Sequence, residues 1–168
     1  LITTGAKQAV YACAIDVDGD GDVDVLAASM SDDTVAWYEN DGALSFEERV
    51  ITTRADGAYA LFAIDIDGDG DIDVLSASYD DDTVAWHEND GSQSFTERTI
   101  SDSVDGRSIY AIDIDSDGDV DALSASRDDD TIAWYENDGD QSFTQHLLST
   151  LADGALCLYA IDIDGDGD

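Results

Sequence analysis

The sequence predicts an all-β protein made of tandem four-stranded antiparallel sheets, the blades of a β-propeller-type fold. Two observations carry this prediction. Segments of about 49 residues repeat along the 168-residue chain, and about 49 residues is the size of one blade. Within each segment the apolar residues follow a period of two, and no stretch has the 3.6-residue period of an amphipathic helix.

The repeat is clearest in a nine-residue segment that recurs at nearly constant spacing. Its first copy, residues 14–22, reads Ala-Ile-Asp-Val-Asp-Gly-Asp-Gly-Asp, and the later copies begin at intervals of 49, 48 and 49 residues. We divide the chain into three blade units and the start of a fourth, which are residues 1–50, 51–99, 100–147 and 148–168. Because the fourth unit stops inside the repeated segment, we expect the chain to be part of a longer repetitive protein.

Four strands are predicted in the first unit, separated by loops rich in Asp, Asn and Gly. They cover residues 10–15, 25–29, 34–39 and 46–52. Asp32-Asp33 forms the turn before the third strand. Asn40-Asp41-Gly42 forms the hairpin turn after it, where glycine supplies a positive φ.

The second and third strands carry apolar residues on both faces, as in Val25-Leu26-Ala27-Ala28 and Val35-Ala36-Trp37-Tyr38. A sheet that is apolar on both faces must be covered by neighbours on both sides, which blades provide for each other. A closed propeller needs about 4–8 blades. The full protein is therefore either a closed ring with further blades or an open, helical array of blades.

The loop after the first strand has the composition of a calcium-binding loop. In its first copy, Asp16, Asp18, Asp20 and Asp24 occupy positions 1, 3, 5 and 9, and glycine occupies position 6. Ca²⁺ takes six to eight oxygen ligands, and glycine at position 6 permits the sharp turn that makes alternate carboxylates converge while position 7 offers its carbonyl. Mg²⁺ prefers fewer protein ligands and ranks second.

The predicted metal-binding residues are the aspartates of the four loop copies. They are Asp16, Asp18, Asp20, Asp22 and Asp24; Asp65, Asp67, Asp69, Asp71 and Asp73; Asp113, Asp115, Asp117, Asp119 and Asp121; and Asp162, Asp164, Asp166 and Asp168. We expect three Ca²⁺ ions, one per complete loop, because the fourth copy lacks position 9. Two carboxylates about 4 Å apart repel by roughly 4 kcal/mol at an effective dielectric of 20. Metal binding should therefore be coupled to folding of the blade.

Two competing interpretations of the loop fit less well. An EF-hand needs a bidentate acid at position 12 between two helices, but position 12 here is Ala27, Ser76 or Ser124 and the flanks are strands. An Asp-rich solvated surface, as in a salt-tolerant protein, does not require four copies of one spacing with glycine fixed at position 6.

At these residues the sequence resembles the FG-GAP/VCBS family of repeats, found in integrin α-subunit propellers and in many secreted proteins. The resemblance lies in the Asp-x-Asp-x-Asp-Gly-x-x-Asp loops, the following Val-Leu-x-Ala-Ser strand and the Trp-Tyr-Glu-Asn-Asp-Gly…Phe segment. It implies a β-propeller blade with Ca²⁺ between its first two strands, usually on an extracellular protein. The Phe-Gly and Gly-Ala-Pro segments that name the family are absent, so the resemblance is to the VCBS branch and does not extend to integrin-type ligand binding.

Tryptophan, histidine and cysteine side chains outside the loops are interpreted mainly as structural residues. Trp37, Trp86 and Trp134 are predicted to pack between blades, with stacking on a sugar as the alternative. His87 takes the place of Tyr38 and Tyr135 and is interpreted as surface variation. Cys13 and Cys157 are predicted to be buried free thiols.

The composition excludes several functions. The formal net charge is −35 with only 6 Lys and Arg, so the chain lacks the basic face that a nucleic-acid partner requires. The longest apolar stretch, residues 58–64, is too short for membrane insertion. No Ser or Cys nucleophile is matched with a His by a local motif, so we predict no enzymatic activity.

Three functions stay open. The first is a non-enzymatic, calcium-stabilised extracellular module for adhesion or protein interaction, secreted or at the cell surface. The second is a structural protomer of an extracellular filament or surface fibre, and the third is a carbohydrate-binding lectin. The predicted partners are neighbouring repeat units or copies of the chain itself, and an extracellular protein or glycan.

Overall fold

The computed structural model describes residues 1–43 and 45–161. Within them the chain forms twelve β-strands in three four-stranded sheets. The first sheet contains β1 (Ala9–Ile15), β2 (Asp24–Ser29), β3 (Thr34–Asn40) and β4 (Phe46–Thr52). The second contains β5 (Ala58–Ile64), β6 (Asp73–Ser78), β7 (Thr83–Asn89) and β8 (Phe95–Ser101). The third contains β9 (Gly106–Ile112), β10 (Asp121–Ser126), β11 (Thr131–Asn137) and β12 (Phe143–Ser149).

The predicted fold class is confirmed. Every sheet is an antiparallel meander in which each strand pairs with the next one along the chain. No helix occurs among the residues the structure describes, and the three sheets do not close into a ring. The unit boundaries predicted at 50, 99 and 147 fall inside β4, β8 and β12, because a sequence period does not show where the chain passes from one sheet to the next.

The turns between the second and third strands of the sheets share one backbone feature. Asp33, Asp82 and Asp130 stand at equivalent places before β3, β7 and β11, and each has a positive φ of 54–56°. Aspartate tolerates this left-handed conformation better than most residues because its short side chain can hydrogen-bond locally. The repeated Asp-rich turns are thus part of the strand connections.

The core lies between the sheets. Leu26, Val35 and Trp37 of the first sheet form one buried cluster with Leu61 and Val74 of the second. The corresponding cluster of the second and third sheets contains Leu75, Val84, Trp86, Ile109 and Tyr135. The second sheet therefore packs through both faces, as the two-sided apolar pattern of its strands predicts.

The three tryptophans differ in exposure. Trp37 and Trp86 are 0% and 1% exposed, so their rings offer no free face for a sugar. Trp134 is half-buried, and the imidazole of His146 stacks on it with 4.7 Å between ring centroids. The described structure thus places the first two tryptophans in the contacts between sheets.

His87 is a core residue, and its interpretation as surface variation is wrong. It is 1% exposed, and its Nε2 lies 2.9 Å from the hydroxyl oxygen of Ser76 on the neighbouring strand. In the third sheet Ser124 and Tyr135 form the same contact, with 3.1 Å between their hydroxyl oxygens. Position 87 lies in the contact between two sheets, so any residue at this position is buried.

The two cysteines are free thiols, as predicted, but they are not both buried. Cys13 in β1 is half-buried, and burial raises the pKa of its thiol. Cys157 is exposed.

His87 should make the fold sensitive to mild acid. Burial lowers its pKa from 6.5 to about 4, so the unfolded chain binds a proton between these values and the folded chain does not. Stability should fall as the pH drops from about 6.5 towards 4, by roughly 3 kcal/mol at the lower limit. His87→Tyr should remove this loss, because it installs the tyrosine of the other two units beside a cavity of about 100 Å³.

The measurement is urea unfolding of both proteins at several pH values, and the quantity of interest is the difference between them. Parallel pH profiles for the wild type and His87→Tyr would contradict this assignment. All other acids titrate equally in the two proteins and cancel in the difference.

Candidate metal centre

Each sheet carries one Asp/Gly loop between its first two strands. The loop begins directly after β1, β5 or β9, and its position-9 aspartate is the first residue of β2, β6 or β10. The loops of the three sheets therefore occupy the same end of their blades. The fourth copy, which contains Asp162, Asp164, Asp166 and Asp168, lies outside the described residues.

The position-9 aspartate is the anchor of the loop. Asp24 is 1% exposed, and its two oxygens accept backbone N–H groups from Val17 at 2.9 Å and Asn40 at 2.8 Å. Asp73 and Asp121 repeat both contacts in the other sheets, with donor distances of 2.7–3.1 Å. One buried carboxylate thus joins the start of the loop to the hairpin turn at the end of the third strand.

The position-1 aspartate curls the loop around itself. Asp16 accepts the N–H of Gly19 at 2.9 Å and the N–H of Gly21 at 3.0 Å. Gly21, at position 6, has a φ of 96°, and its counterparts in the other loops have 99° and 104°. Since L-residues rarely adopt such angles, glycine at position 6 is required for the turn.

The hairpin turn also approaches the loop closely. At Gly42, which has a φ of 74°, a Cβ atom would collide with the carboxylate of Asp22 at loop position 7. Gly91 and Gly139 make the same approach to Asp71 and Asp119. The position-7 side chain therefore lies over the turn of its own sheet.

The folded loop brings together carboxylate oxygens from positions 1, 3 and 9. In each sheet one oxygen from each of these three residues lies within 4.8 Å of the other two, and the sets are Asp16, Asp18 and Asp24; Asp65, Asp67 and Asp73; and Asp113, Asp115 and Asp121. Two oxygens bound to one Ca²⁺ at about 2.3–2.6 Å can be no more than about 5 Å apart. The three positions therefore meet the distance requirement of a shared cation.

Positions 5 and 7 lie outside these groups. The carboxylate of Asp20 accepts the backbone N–H of Asp22 at 2.8 Å, and the equivalent bonds in the other loops measure 2.9 Å. The structure thus gives positions 5 and 7 local contacts within the loop, while positions 1, 3 and 9 converge.

The electrostatics of the loops favour a bound cation. Burial raises the pKa of Asp73 to about 6, against the opposing effect of the N–H groups of Asn89 and Ile66. Burial and the charge of Asp69 also raise the pKa of Asp67. Among the described residues, no Lys or Arg forms an ion pair with a loop carboxylate.

An unpartnered oxygen marks the third loop. Oδ1 of Asp113 is buried, and no hydrogen-bond donor contacts it in the described part of the chain. A buried carboxylate oxygen without a partner is costly, and a metal ion is the type of partner that it lacks. The donor set consists of hard oxygen atoms alone, which suits Ca²⁺ or Mg²⁺ and not a soft metal.

Sequence reasoning missed the role of the asparagine in the hairpin turn. Asn40 donates its backbone N–H to Asp24 and its side-chain N–H to the carbonyl of Val23 at 3.1 Å, and its own Oδ1 accepts the N–H of Gly42. The signal was present in the sequence, because an asparagine follows the position-9 aspartate by 16 residues in all three units.

Comparison with known proteins gives one family and one class of fold. The model of the FG-GAP-like repeat matches residues 16–76, 65–124 and 113–168. A search of curated proteins finds no match. Seventeen chains of solved structures match, among them a Bacteroides fragilis protein provisionally assigned as a 6-phosphogluconolactonase, with a TM-score of 0.59 and 18% identity. That match covers 90% of this chain and 41% of the other, and at this identity it shows the fold alone.

Within residues 1–43 and 45–161, no helix has the length and apolar character needed to cross a membrane.

Two substitutions in the second loop should separate anchoring from metal binding. Asp73→Ala removes both N–H acceptors of a buried carboxylate and should destabilise the protein by about 2–4 kcal/mol even in chelator. Asp67→Ala, at position 3, removes a half-buried carboxylate that accepts one backbone N–H and should change stability in chelator by less than about 1 kcal/mol.

Urea unfolding in EDTA measures both effects, and Asp67→Ala serves as the matched control for loss of one loop carboxylate. Equal destabilisation by the two variants would show that position 9 has no special anchoring role.

Proposed function

The chain belongs to the family of FG-GAP-like repeats, and from that premise we propose that it is a calcium-stabilised, non-enzymatic module for adhesion or protein interaction outside the cell. The observation that carries the proposal is the convergence of three aspartate oxygens in every complete loop, once per sheet. A feature that recurs in every repeat is expected of a site that stabilises a binding surface. A catalytic site would instead distinguish one unit from the others.

Calcium has a defined task in this proposal. Positions 1, 3 and 9 would hold the ion, and glycine at position 6 gives the loop its turn. The ion would offset the mutual repulsion of carboxylates that have no basic neighbour. Millimolar Ca²⁺ outside the cell keeps even weak sites occupied, which supports an extracellular location.

The surface charge restricts the partner. All five arginines, Arg49, Arg54, Arg98, Arg107 and Arg127, lie within 4.0 Å of a carboxylate in ion pairs. The chain therefore presents an anionic surface on which the arginine charges are already matched. A partner with a basic face, or an anionic partner bridged by Ca²⁺, suits such a surface.

The buried Ser76–His87 pair does not support catalysis. Both residues are 1% exposed, and Ser124 and Tyr135 occupy the same places in the third sheet without any imidazole. A nucleophile needs access to its substrate, whereas this pair is a polar contact inside the packing of two sheets.

Removal of metal should lower the stability of the whole chain. We expect three Ca²⁺ per chain by isothermal titration calorimetry, and each site should contribute about 2.7 kcal/mol when free Ca²⁺ is 100 times its dissociation constant. EDTA should therefore shift the thermal midpoint down by more than 10 °C, and added Ca²⁺ should restore it. A melting curve that is identical in chelator and in millimolar Ca²⁺ would refute the calcium role.

A filament or surface fibre is the second candidate, and the repeated sheet contact favours it. The first sheet packs on the second through Trp37, and the second packs on the third through Trp86 in the same way. A contact that repeats along the chain can also repeat between chains, which gives an open assembly if the rotation does not close.

Negative-stain electron microscopy of the protein in millimolar Ca²⁺ separates the two candidates. The interaction module predicts compact particles of uniform size whose mass by light scattering does not depend on protein concentration. Elongated or helical particles that grow with concentration would instead favour the fibre.

A further inference from the structure

A side chain of the second sheet reaches the metal loop of the first. Gln93 lies in the hairpin turn between β7 and β8, and its Nε2 donates to Oδ2 of Asp18 at 3.3 Å. Asp18 is position 3 of the first loop, one of the three converging carboxylates. The contact joins residues 75 positions apart and crosses from one blade to the next.

We propose that Gln93 is a positioning residue for the calcium site of the preceding blade, an inference that rests on the calcium binding proposed above. Oδ1 of Asp18 accepts the backbone N–H of Asp20 at 3.2 Å, so with Gln93 on Oδ2 each oxygen has a donor. A carboxylate held at both oxygens keeps one orientation. Outer-shell donors of this kind orient metal ligands and tune affinity.

The chemistry of an amide suits this position. The carboxylate of Asp18 lies near Asp20, Asp24 and Glu39, whose negative charges repel it. An N–H donor offsets part of this repulsion, whereas the ammonium group of a lysine would also repel the cation. Gln93 is thus a neutral donor in a site that must attract a positive ion.

The backbone places the side chain. Gln93 has a φ of 63°, a left-handed conformation that a residue with a side chain adopts at some cost. Gln141 stands at the same place in the turn of the third sheet with a φ of 64°. Among the described contacts, Gln141 donates to no loop carboxylate, so it has the same backbone without the contact.

A consequence is that calcium binding in the first loop and packing of the second sheet on the first support each other. The donor to Asp18 is in place only when the second sheet is docked, and an ion bound to Asp18 would hold the accepting carboxylate in the orientation that Gln93 reaches. Such coupling between two equilibria is reciprocal.

The test compares Gln93→Ala with Gln141→Ala in the full chain. Calcium affinities are measured by competition with a chromophoric chelator, which resolves three sites. Gln93→Ala should weaken one site about tenfold and leave two unchanged. Gln141→Ala, which makes the same change at the same backbone conformation, should leave all three unchanged.

Gln93→Glu distinguishes donation to Asp18 from direct coordination of the ion. If the N–H donor is what counts, a carboxylate at this position removes the donor and repels Asp18, so the site should weaken at least as much as in Gln93→Ala. A tighter site in Gln93→Glu would overturn the proposal, because it would make residue 93 an oxygen ligand.

Failure of this inference is distinguishable from failure of the calcium proposal. Three sites in the wild type with Gln93→Ala matching Gln141→Ala overturn the role of Gln93 alone. A wild type that binds no Ca²⁺ overturns both. Since Gln93 is exposed, melting curves of the variants in EDTA should coincide with the wild type, which confirms that they fold.

Discussion

The buried carboxylate at position 9 of each loop is the contact on which the blade depends. This carboxylate belongs to Asp24, Asp73 and Asp121 in the three sheets. One of its oxygens accepts a backbone N–H from the loop, and the other accepts a backbone N–H from the last residue of the third strand. The same residue faces positions 1 and 3. The residue that joins the loop to the third strand is thus also one of the three converging carboxylates, so binding of a cation at the candidate centre would be coupled to the local structure.

This arrangement accounts for a large part of the acidic composition of the chain. Nearly half of the 41 acidic residues belong to the four loop copies. In the three copies that the structure describes, the carboxylates at positions 1, 3 and 9 meet at short distance without an ion pair to Lys or Arg. Two different interactions would stabilise the blade. Packing of apolar faces holds sheet to sheet, and a cation bound at the three converging carboxylates would offset the repulsion between the charges that each loop holds close together.

Much of this was accessible from the sequence because it is local. The period, the four strands of a unit and the turn at position 6 depend on residues within about 50 positions of one another, and the predicted strands of the first unit differ from the observed ones by at most one residue at either end. His87 shows where this reasoning failed. A polar residue in place of tyrosine predicts an exposed position, although this position is buried.

The all-β class, the repeating unit and the aspartates that form the loops follow from the sequence alone, because spacing along the chain sets which side chains share a strand face or a turn. The folded structure was needed to show which carboxylates converge, that Asn40 joins the hairpin to the loop, and that Gln93 reaches Asp18 of another blade. The last two contacts join residues 16 and 75 positions apart. Their geometry follows from how strands pair and how sheets stack, which no local pattern records.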